Sequence, residues 1–247
     1  MIWPDVDHLF LSAHLDDAAL SCGGLLHQLA QRGEPAAVVT ICAGDPVKPL
    51  SDYARAHHER WNLAAVQAVQ ARRSEDIRAL ALLGETIQAV HLSIPDAIYR
   101  RHAGAALYAS GQQLFGPPHP DDPAWQTLAN LPRPTGRVYA PLAVGHHVDH
   151  VLLRQTVERW RHPDVWYYED YPYNRYENAV QAALDGDEGR WEAHVIPLAE
   201  ADLDARLGAA AAYTSQLSTF WPSKEALYAD LVTVVRRDNG EVYRVRC

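Results

Sequence analysis

An apolar run that ends in one histidine and two adjacent aspartates constrains this chain more than any other stretch. Residues 8–13 are short and apolar enough for a buried strand, and residues 18–31 form an Ala/Leu-rich segment typical of a helix. His14, Asp16 and Asp17 lie between them. Because ligands bind just beyond the carboxyl ends of strands in open α/β sheets, this turn is a candidate metal or catalytic site. The alternative is a helix cap, which needs only one carboxylate and gives no reason for the histidine.

The rest of the chain alternates candidate strands and helices, a pattern that favours a mostly parallel sheet with helices on both faces. Further strands are predicted over residues 35–42, 86–92, 136–142 and 165–170, and helical segments over 53–83, 151–160, 203–213 and 215–220. The Pro/Gly-rich stretch 102–134 resembles an insertion or lid. Asn239-Gly240 predicts a hairpin between strands over 231–237 and 241–246, a short antiparallel element at the C-terminal end.

Length and composition narrow the class of protein. A chain of 247 residues is long enough for one large α/β domain, and we expect a single domain over residues 1–247 because no repeat or linker divides it. The formal net charge of -9 argues against nucleic acid or an anionic membrane as a partner. We find neither the charged and apolar regions of a signal peptide nor a run of about 20 apolar residues that could span a membrane. These features predict a cytoplasmic protein.

The cysteines are not expected to take part in the site. Cys22, Cys42 and Cys247 show neither a disulfide framework nor a CxxC spacing, which fits a reducing compartment. Cys22 falls within the first predicted helix and Cys42 within the second predicted strand. We therefore expect both of them to be core residues rather than soft metal ligands.

A second polar turn follows the strand predicted over residues 136–142. Its sequence is His147-Val148-Asp149-His150, and a predicted helix follows it. Catalytic zinc takes three protein ligands from His, Cys or carboxylate and keeps one open position for water, and two turns at neighbouring strand ends can supply such a set. The alternative of a capped helix with a solvent-facing histidine would have to apply at both turns. The segment His119-Pro120-Asp121-Asp122 is similar in sequence to the turn at residues 14–17. It follows Pro117-Pro118 instead of a strand and is interpreted as a loop.

The two turns together resemble the signature of the PIG-L/LmbE family of zinc-dependent N-acetylglucosaminyl deacetylases. The family's Ala/Pro-His-Pro-Asp-Asp motif corresponds to residues 13–17, its His-x-Asp-His motif to residues 147–150, and a weaker Arg-x-x-Glu element to residues 72–75. The resemblance implies a Rossmann-like sheet. It also implies a metal-dependent hydrolase that removes the N-acetyl group from an N-acetylglucosamine-type sugar conjugate or glycan.

The same resemblance implies a role for each residue of the first motif. One Zn²⁺ per chain is expected on His14, Asp17 and His150, with Asp16 as the general base for a zinc-bound water that attacks the amide. The side-chain directions support two different roles for Asp16 and Asp17. Adjacent aspartates on an extended turn cannot point the same way, so one can bind the metal while the other faces the water. Zinc polarises the carbonyl and lowers the pKa of bound water to about 7.

The second motif and the weaker element receive roles in the same way. Asp149 would orient a histidine by a hydrogen bond, Arg72 would position the substrate, and His147 would help to stabilise the oxyanion. Because His147 lies one helical turn from His150, with Asp149 or another acceptor available, we expect its ring to act as a cation. Some family members carry an oxyanion-stabilising tyrosine where this chain has Gly145. Candidates to replace it are Tyr167, Tyr168 and Tyr171. The cluster 167–173, with Glu169 and Asp170, could either contact a sugar or form the edge of the core.

Other function classes stay open at this point. The same constellation could hydrolyse another N-acyl amide or an ester on a small molecule or glycan. A nucleotide-binding module is disfavoured because no GxGxxG follows the first strand. A catalytically inactive sugar-binding protein is disfavoured because the acidic and histidine residues of both motifs are intact. Leu15 and Ala18 depart from the family's usual proline and glutamate, but neither change removes a ligand.

Overall fold

The computed structural model describes residues 3–61, 63–185 and 189–247. The strands are β1 (His8–Ser12), β2 (Ala36–Thr40), β3 (Ile87–His91), β4 (Arg101–His102), β5 (Ala105–Ala106), β6 (Arg137–Pro141), β7 (Val165–Tyr168), β8 (Trp191–Ile196) and β9 (Glu241–Arg246). The helices are α1 (Asp17–Gln31), α2 (Asp52–Trp61), α3 (Ala65–Leu83), α4 (Gly111–Leu114), α5 (Ala124–Ala129), α6 (Val148–Trp160), α7 (Ala179–Leu184), α8 (Glu200–Ala211), α9 (Thr214–Phe220) and α10 (Lys224–Asp238).

The main sheet has the strand order β3-β2-β1-β6-β7-β9-β8. The five neighbouring strands β3, β2, β1, β6 and β7 run parallel, whereas β9 pairs antiparallel with both β7 and β8. The chain moves outward from β1 to β3 and then returns to the other side of β1 to form β6. This reversal opens a crevice at the carboxyl ends of β1 and β6, where doubly wound sheets bind their ligands. The predicted mostly parallel sheet with a short antiparallel element is confirmed.

The central strands are mostly apolar because helices cover both faces of the sheet. Within β1, Leu9 and Leu11 pack into a core cluster with residues of α6, while Phe10 packs into a second cluster with residues of α1, α3 and α8. Neighbouring side chains of a strand point to opposite faces, so one short run contributes to both halves of the core. Cys22 and Cys42 are buried, as expected of core residues. Among the described helices, none has the length and apolarity to cross a membrane.

The predicted C-terminal hairpin is wrong in its first strand. Residues 231–237 belong to α10, whose buried Leu227, Leu231 and Val234 recur at the spacing of one helix face. Asn239 adopts a left-handed conformation with φ of 60° and ends the helix, so Asn239-Gly240 is a helix stop instead of a hairpin turn. The antiparallel partner of β9 within the tail is β8, which the sequence pattern did not predict.

Candidate metal centre and active site

The turn after β1 leaves both of its aspartates available for chemistry. Ser12 performs the capping role, because its Oγ accepts a hydrogen bond from the Ala18 N–H at 3.1 Å. Asp16 occupies the N-cap position of α1 without a capping bond from its side chain, and Asp17 Oδ2 turns back to accept the His14 N–H at 2.7 Å. A serine on the strand therefore satisfies a helix donor that an aspartate would otherwise have to satisfy.

Three predicted ligand atoms converge at the crevice between the two strand ends. His150 Nε2 lies 3.3 Å from Asp17 Oδ2 and 3.3 Å from His14 Nδ1, and His14 Nδ1 lies 3.5 Å from Asp17 Oδ2. Ligands about 2.0–2.2 Å from a tetrahedral zinc ion lie roughly 3.3–3.5 Å from one another. The three residues are buried, and their spacing fits a divalent cation. A ring nitrogen of His147 lies within 4.8 Å of those of His14 and His150, so it is the alternative ligand.

A carboxylate stands behind each of the two histidines. His14 Nε2 lies 2.9 Å from Asp149 Oδ2, and His150 Nδ1 lies 2.6 Å from Asp170 Oδ1. Such a pair fixes the tautomer and the orientation of a metal-binding imidazole. Asp149 is where the orienting residue was expected. The sequence pattern places Asp170 within an aromatic cluster and gives it no role in the site, although its position just after β7, at the same edge of the sheet, is a signal for one.

Arg100 ties this site to the stretch 102–134. Its Nη1 lies 2.5 Å from Asp149 Oδ1 and its Nε 2.9 Å from Asp122 Oδ1, and the side chain is 1% exposed. Asp122 belongs to the motif interpreted as a loop, and it also accepts a hydrogen bond from the Tyr108 hydroxyl at 2.7 Å. Sequence reasoning missed this contact because no local pattern links the two residues. Residues 119–122 form a loop, as interpreted, and the Asp122 carboxylate of this loop holds Arg100 against Asp149.

We expect Arg100→Met to lower the free energy of unfolding by about 3–5 kcal/mol, because it leaves the buried carboxylates of Asp149 and Asp122 without their cation. Urea denaturation of the metal-free protein measures the change. The matched control is Arg55→Met, which removes an exposed ion pair with Asp52 and should cost about 0–1 kcal/mol. An equal effect of the two substitutions would contradict this role of Arg100.

The two adjacent aspartates have opposite electrostatic surroundings. Burial, reinforced by the charge of Asp17, raises the pKa of Asp16 to about 7. Burial also acts on Asp17, but His150 and His14 outweigh it and hold the pKa of Asp17 below its ordinary value. Two carboxylates whose pKa values are pushed apart are suited to different tasks. Asp17 is suited to remain an anion, and Asp16 can accept and release a proton near neutral pH.

The surroundings of His147 favour a neutral ring over the expected cation. Burial, together with the nearby charge of His14, lowers the pKa of His147 well below its usual value. The Asp149 N–H donates to His147 Nδ1 at 3.2 Å, and the Asp149 carboxylate is occupied by His14 and Arg100. A neutral ring that accepts at Nδ1 carries its proton on Nε2, so His147 is a neutral donor as well as the cap of α6.

The three tyrosines expected as replacements for the family's oxyanion-stabilising tyrosine pack in the core. The Tyr168 hydroxyl donates to the Leu11 carbonyl at 2.9 Å, and the Tyr171 hydroxyl donates to Asp230 at 3.0 Å. Tyr167 packs its ring against Trp191 at a centroid distance of 5.4 Å. Within the 167–173 cluster, the core alternative is therefore right for these tyrosines.

The ring of Tyr173 fills the space that a side chain at position 145 would need. A Cβ atom built on Gly145 would lie 2.6 Å from Tyr173 Cδ1, so the absence of a side chain at 145 makes room for this ring. Gly145 also adopts a φ of +86°, which disfavours other residues. Tyr173 lines the same cavity as His14 and Asp16, and its hydroxyl has no hydrogen-bond partner in the part of the chain that the structure describes.

Two of the predicted ligands, His14 and Asp17, lie at the floor of a cavity of about 260 Å³. Arg72 reaches this floor from α3, with Nη2 3.9 Å from Asp16 Oδ1 and Nη1 3.8 Å from Asp96 Oδ2. Its buried Nε has no hydrogen-bond partner among the described residues. The structure thus brings together the predicted residues His14, Asp16, Asp17, Arg72, His147, Asp149 and His150.

Known proteins are similar to this chain in sequence and in fold. Residues 9–161 match the model of the PIG-L family, described as GlcNAc-PI de-N-acetylase. A 2'-N-acetylparomamine deacetylase of Niallia circulans is 30% identical over 191 residues, which cover 69% of this chain and 68% of that protein. The Streptomyces fradiae protein of the same name is 30% identical over 203 residues, covering 79% of this chain and 66% of that protein.

A comparison with solved structures also finds a deacetylase. The crystal structure of the zinc-inhibited form of a teicoplanin deacetylase superposes with a TM-score of 0.79 and 29% identity, covering 97% of this chain and 98% of that one. The family match spans more than half of the present chain and includes both polar turns. The family expected from the two motifs is therefore confirmed, and this chain belongs to the PIG-L family.

Proposed function

We propose that the protein is a metal-dependent hydrolase that removes the N-acetyl group from an N-acetylglucosamine-type sugar conjugate. The observation that carries this proposal is the triad His14, Asp17 and His150 at the spacing of a tetrahedral zinc site, with Asp16 beside it at a pKa of about 7. The relatives named as deacetylases of acetylparomamine and teicoplanin support the same reaction class. The alternative is hydrolysis of another N-acyl amide or an ester at the same site.

The metal would be held by the triad, with Asp149 and Asp170 fixing the two imidazole rings. When bound there, zinc supplies Lewis acidity that polarises the amide carbonyl and makes water more acidic. Asp16 takes the proton of the water that attacks the carbonyl carbon. When the C–N bond breaks, Asp16 returns this proton to the leaving nitrogen, so acetate and a free amine are the products.

Two neutral donors face the carbonyl oxygen as it gains negative charge. His147 offers its Nε2–H, and Tyr173 offers a hydroxyl that is otherwise unpaired among the described residues. Preorganised donors of this kind act mainly in the transition state. Arg72 lies beside Asp16 at the floor and lines the cavity, where its guanidinium can position an oxygen of the sugar or the acyl group.

We expect His147→Ala to keep the metal and a near-normal KM while kcat falls by about 10²–10³, the usual cost of one lost oxyanion donor. Because the ring is neutral, the alkaline limb of the pH–rate profile should not depend on it. Steady-state kinetics and metal analysis of the purified variant measure both outcomes. Loss of the metal in His147→Ala would instead identify His147 as a ligand, and activity within about threefold of wild type would leave only its capping role.

Acetate release from a panel of N-acetylhexosamine conjugates tests the proposed reaction, with the metal content of the same preparation measured in parallel. We expect about one Zn²⁺ or similar ion per chain and stoichiometric acetate and amine. Esters and longer N-acyl chains on the same sugar form the comparison series. The reaction class is wrong if an ester is cleaved and the N-acetyl sugars are not.

A further inference from the structure

We propose that the mouth of the active-site cavity binds an uncharged aromatic group attached to the sugar, so that the preferred substrates are aryl glycosides of N-acetylglucosamine and not polycationic amino sugars. The proposal rests on the proposed deacetylation, because it places the amide at the metal floor and the remainder of the substrate above it. Its basis is a collar of aromatic side chains at the mouth of the cavity, with the cation Arg60 beside them.

One side of the collar is a row of rings along α2. Tyr53, His57 and Trp61 follow one another at intervals of four residues and therefore share one face of the helix. The ring centroids of Tyr53 and His57 are 4.6 Å apart, and those of His57 and Trp61 are 5.7 Å apart. All three line the cavity and are only half-buried, so part of each ring faces the open space.

The other side is built from three separate parts of the chain. Phe115 follows α4, Tyr173 follows β7, and Phe220 ends α9. The ring of Tyr173 lies 6.3 Å from that of Phe115 and 6.3 Å from that of Phe220. Phe115 is 42% exposed, a high value for a phenylalanine beside a buried catalytic floor. Half-exposed rings that converge on one cavity are typical of a site that packs against an apolar ligand.

The two sides meet, so the rings enclose the opening. The Trp61 Nε1–H donates to Thr219 Oγ1 at 3.2 Å, which joins α2 to the end of α9. On the other flank, Tyr53 approaches the start of α4, because a Cβ atom built on Gly111 would lie 3.7 Å from the Tyr53 hydroxyl. A group attached to a sugar whose acetyl reaches the triad must therefore pass between these rings.

The charges of the cavity are separated by depth. Among the described residues that line it, the carboxylates are Asp16, Asp17 and Asp96, all beside Arg72 or the histidines of the floor. Helix α2 contributes Tyr53, His57, Arg60 and Trp61 to the lining of the cavity, and Arg60 is the permanently charged residue of these four. A substrate portion with several ammonium groups would meet this cation without a carboxylate partner at the same depth. An uncharged aryl group meets the rings alone, with edge and face contacts that favour it.

The experiment compares methyl N-acetyl-β-glucosaminide, phenyl N-acetyl-β-glucosaminide and 2'-N-acetylparomamine with the metal-loaded enzyme. We expect kcat/KM for the phenyl glycoside to exceed that for the methyl glycoside about tenfold, with the paromamine derivative below both. In Phe115→Ala and Trp61→Ala the phenyl-to-methyl ratio should fall to about threefold or less. A ratio within one enzyme cancels any general loss of activity.

Tyr176→Ala is the matched control, because Tyr176 is an aromatic residue with 57% exposure that does not line the cavity, and its ratio should equal that of wild type. A wild-type ratio below about threefold, or a preference for the paromamine derivative, would overturn the proposal. Calorimetric titration with phenyl and methyl β-glucosaminide, the amine products, gives a readout independent of turnover. If no N-acetyl sugar is cleaved, the proposed function fails, while tighter binding of the phenyl compound that is lost in Phe115→Ala would still support the aromatic site.

Discussion

Replacing Asp16 with asparagine is expected to leave the metal content unchanged and to lower kcat by about 10²–10⁴. The amide keeps the shape of the carboxylate but cannot take a proton from water. The Asp16 oxygens are not part of the triad, in which Asp17 Oδ2 meets both histidines at 3.3 and 3.5 Å. Asp17→Asn is the matched variant, because it makes the same chemical change at the neighbouring position and should reduce metal affinity as well as activity. The opposite pattern, with metal lost from Asp16→Asn and kept in Asp17→Asn, would mean that the two roles are reversed.

The pH profile gives the same residue a second signature. A carboxyl with a pKa of about 7 is protonated below that pH and cannot act as a base, so wild-type kcat/KM should fall as the pH falls through this range. A cation on the triad favours the charged form of Asp16 and moves this acidic limb to lower pH. In Asp16→Asn the limb should disappear from the residual activity. An unchanged limb in that variant would assign it to another group.

The sequence was most informative where a polar cluster followed an apolar strand. His14 and Asp17 stand just after β1 and His150 stands shortly after β6, so strand order alone brought these residues to one edge of the sheet. Capping by Ser12 could not be foreseen, because it depends on the angle between β1 and α1. The end of α10 was misjudged because Asn239 and Gly240 serve both hairpins and helix ends, and only the buried face of the helix separates the two.

Supporting residues from distant parts of the chain were the ones that sequence reasoning missed. Arg100 reaches Asp122 and Asp149, which lie 22 and 49 positions away along the chain, and no periodic pattern encodes such a contact. Tyr173 could be related to Gly145 only through the space that a missing side chain leaves. Local motifs thus indicate which atoms can bind a metal. The packing that orients those atoms depends on tertiary structure and is read only from the fold.

Removing His150 should have the largest effect, because it takes away a ligand atom and unpairs two carboxylates at once. We expect His150→Ala to lose nearly all bound metal and activity, whereas His119→Ala, in the loop of similar sequence, should keep both because the His119 side chain is 42% exposed. Metal should raise the melting temperature of wild type and of His119→Ala but not of His150→Ala, a readout that does not need turnover. Equal metal content in His150→Ala and wild type would refute the triad.

The binding of the metal should also depend on pH with a definite sign. Burial opposes the charged forms of His14 and His150, but hydrogen bonds and charges from Asp149 and Asp17 on His14, and from Asp17 and Asp170 on His150, outweigh it and raise both pKa values. The metal must displace those protons, so its affinity should fall as the pH falls and binding should release protons to the buffer. Calorimetry in buffers of different ionisation enthalpy measures the number released. Asp170→Asn should lower the pKa of His150 and reduce proton release while weakening the metal roughly 10–100-fold, as expected when the residue that orients a histidine ligand is lost.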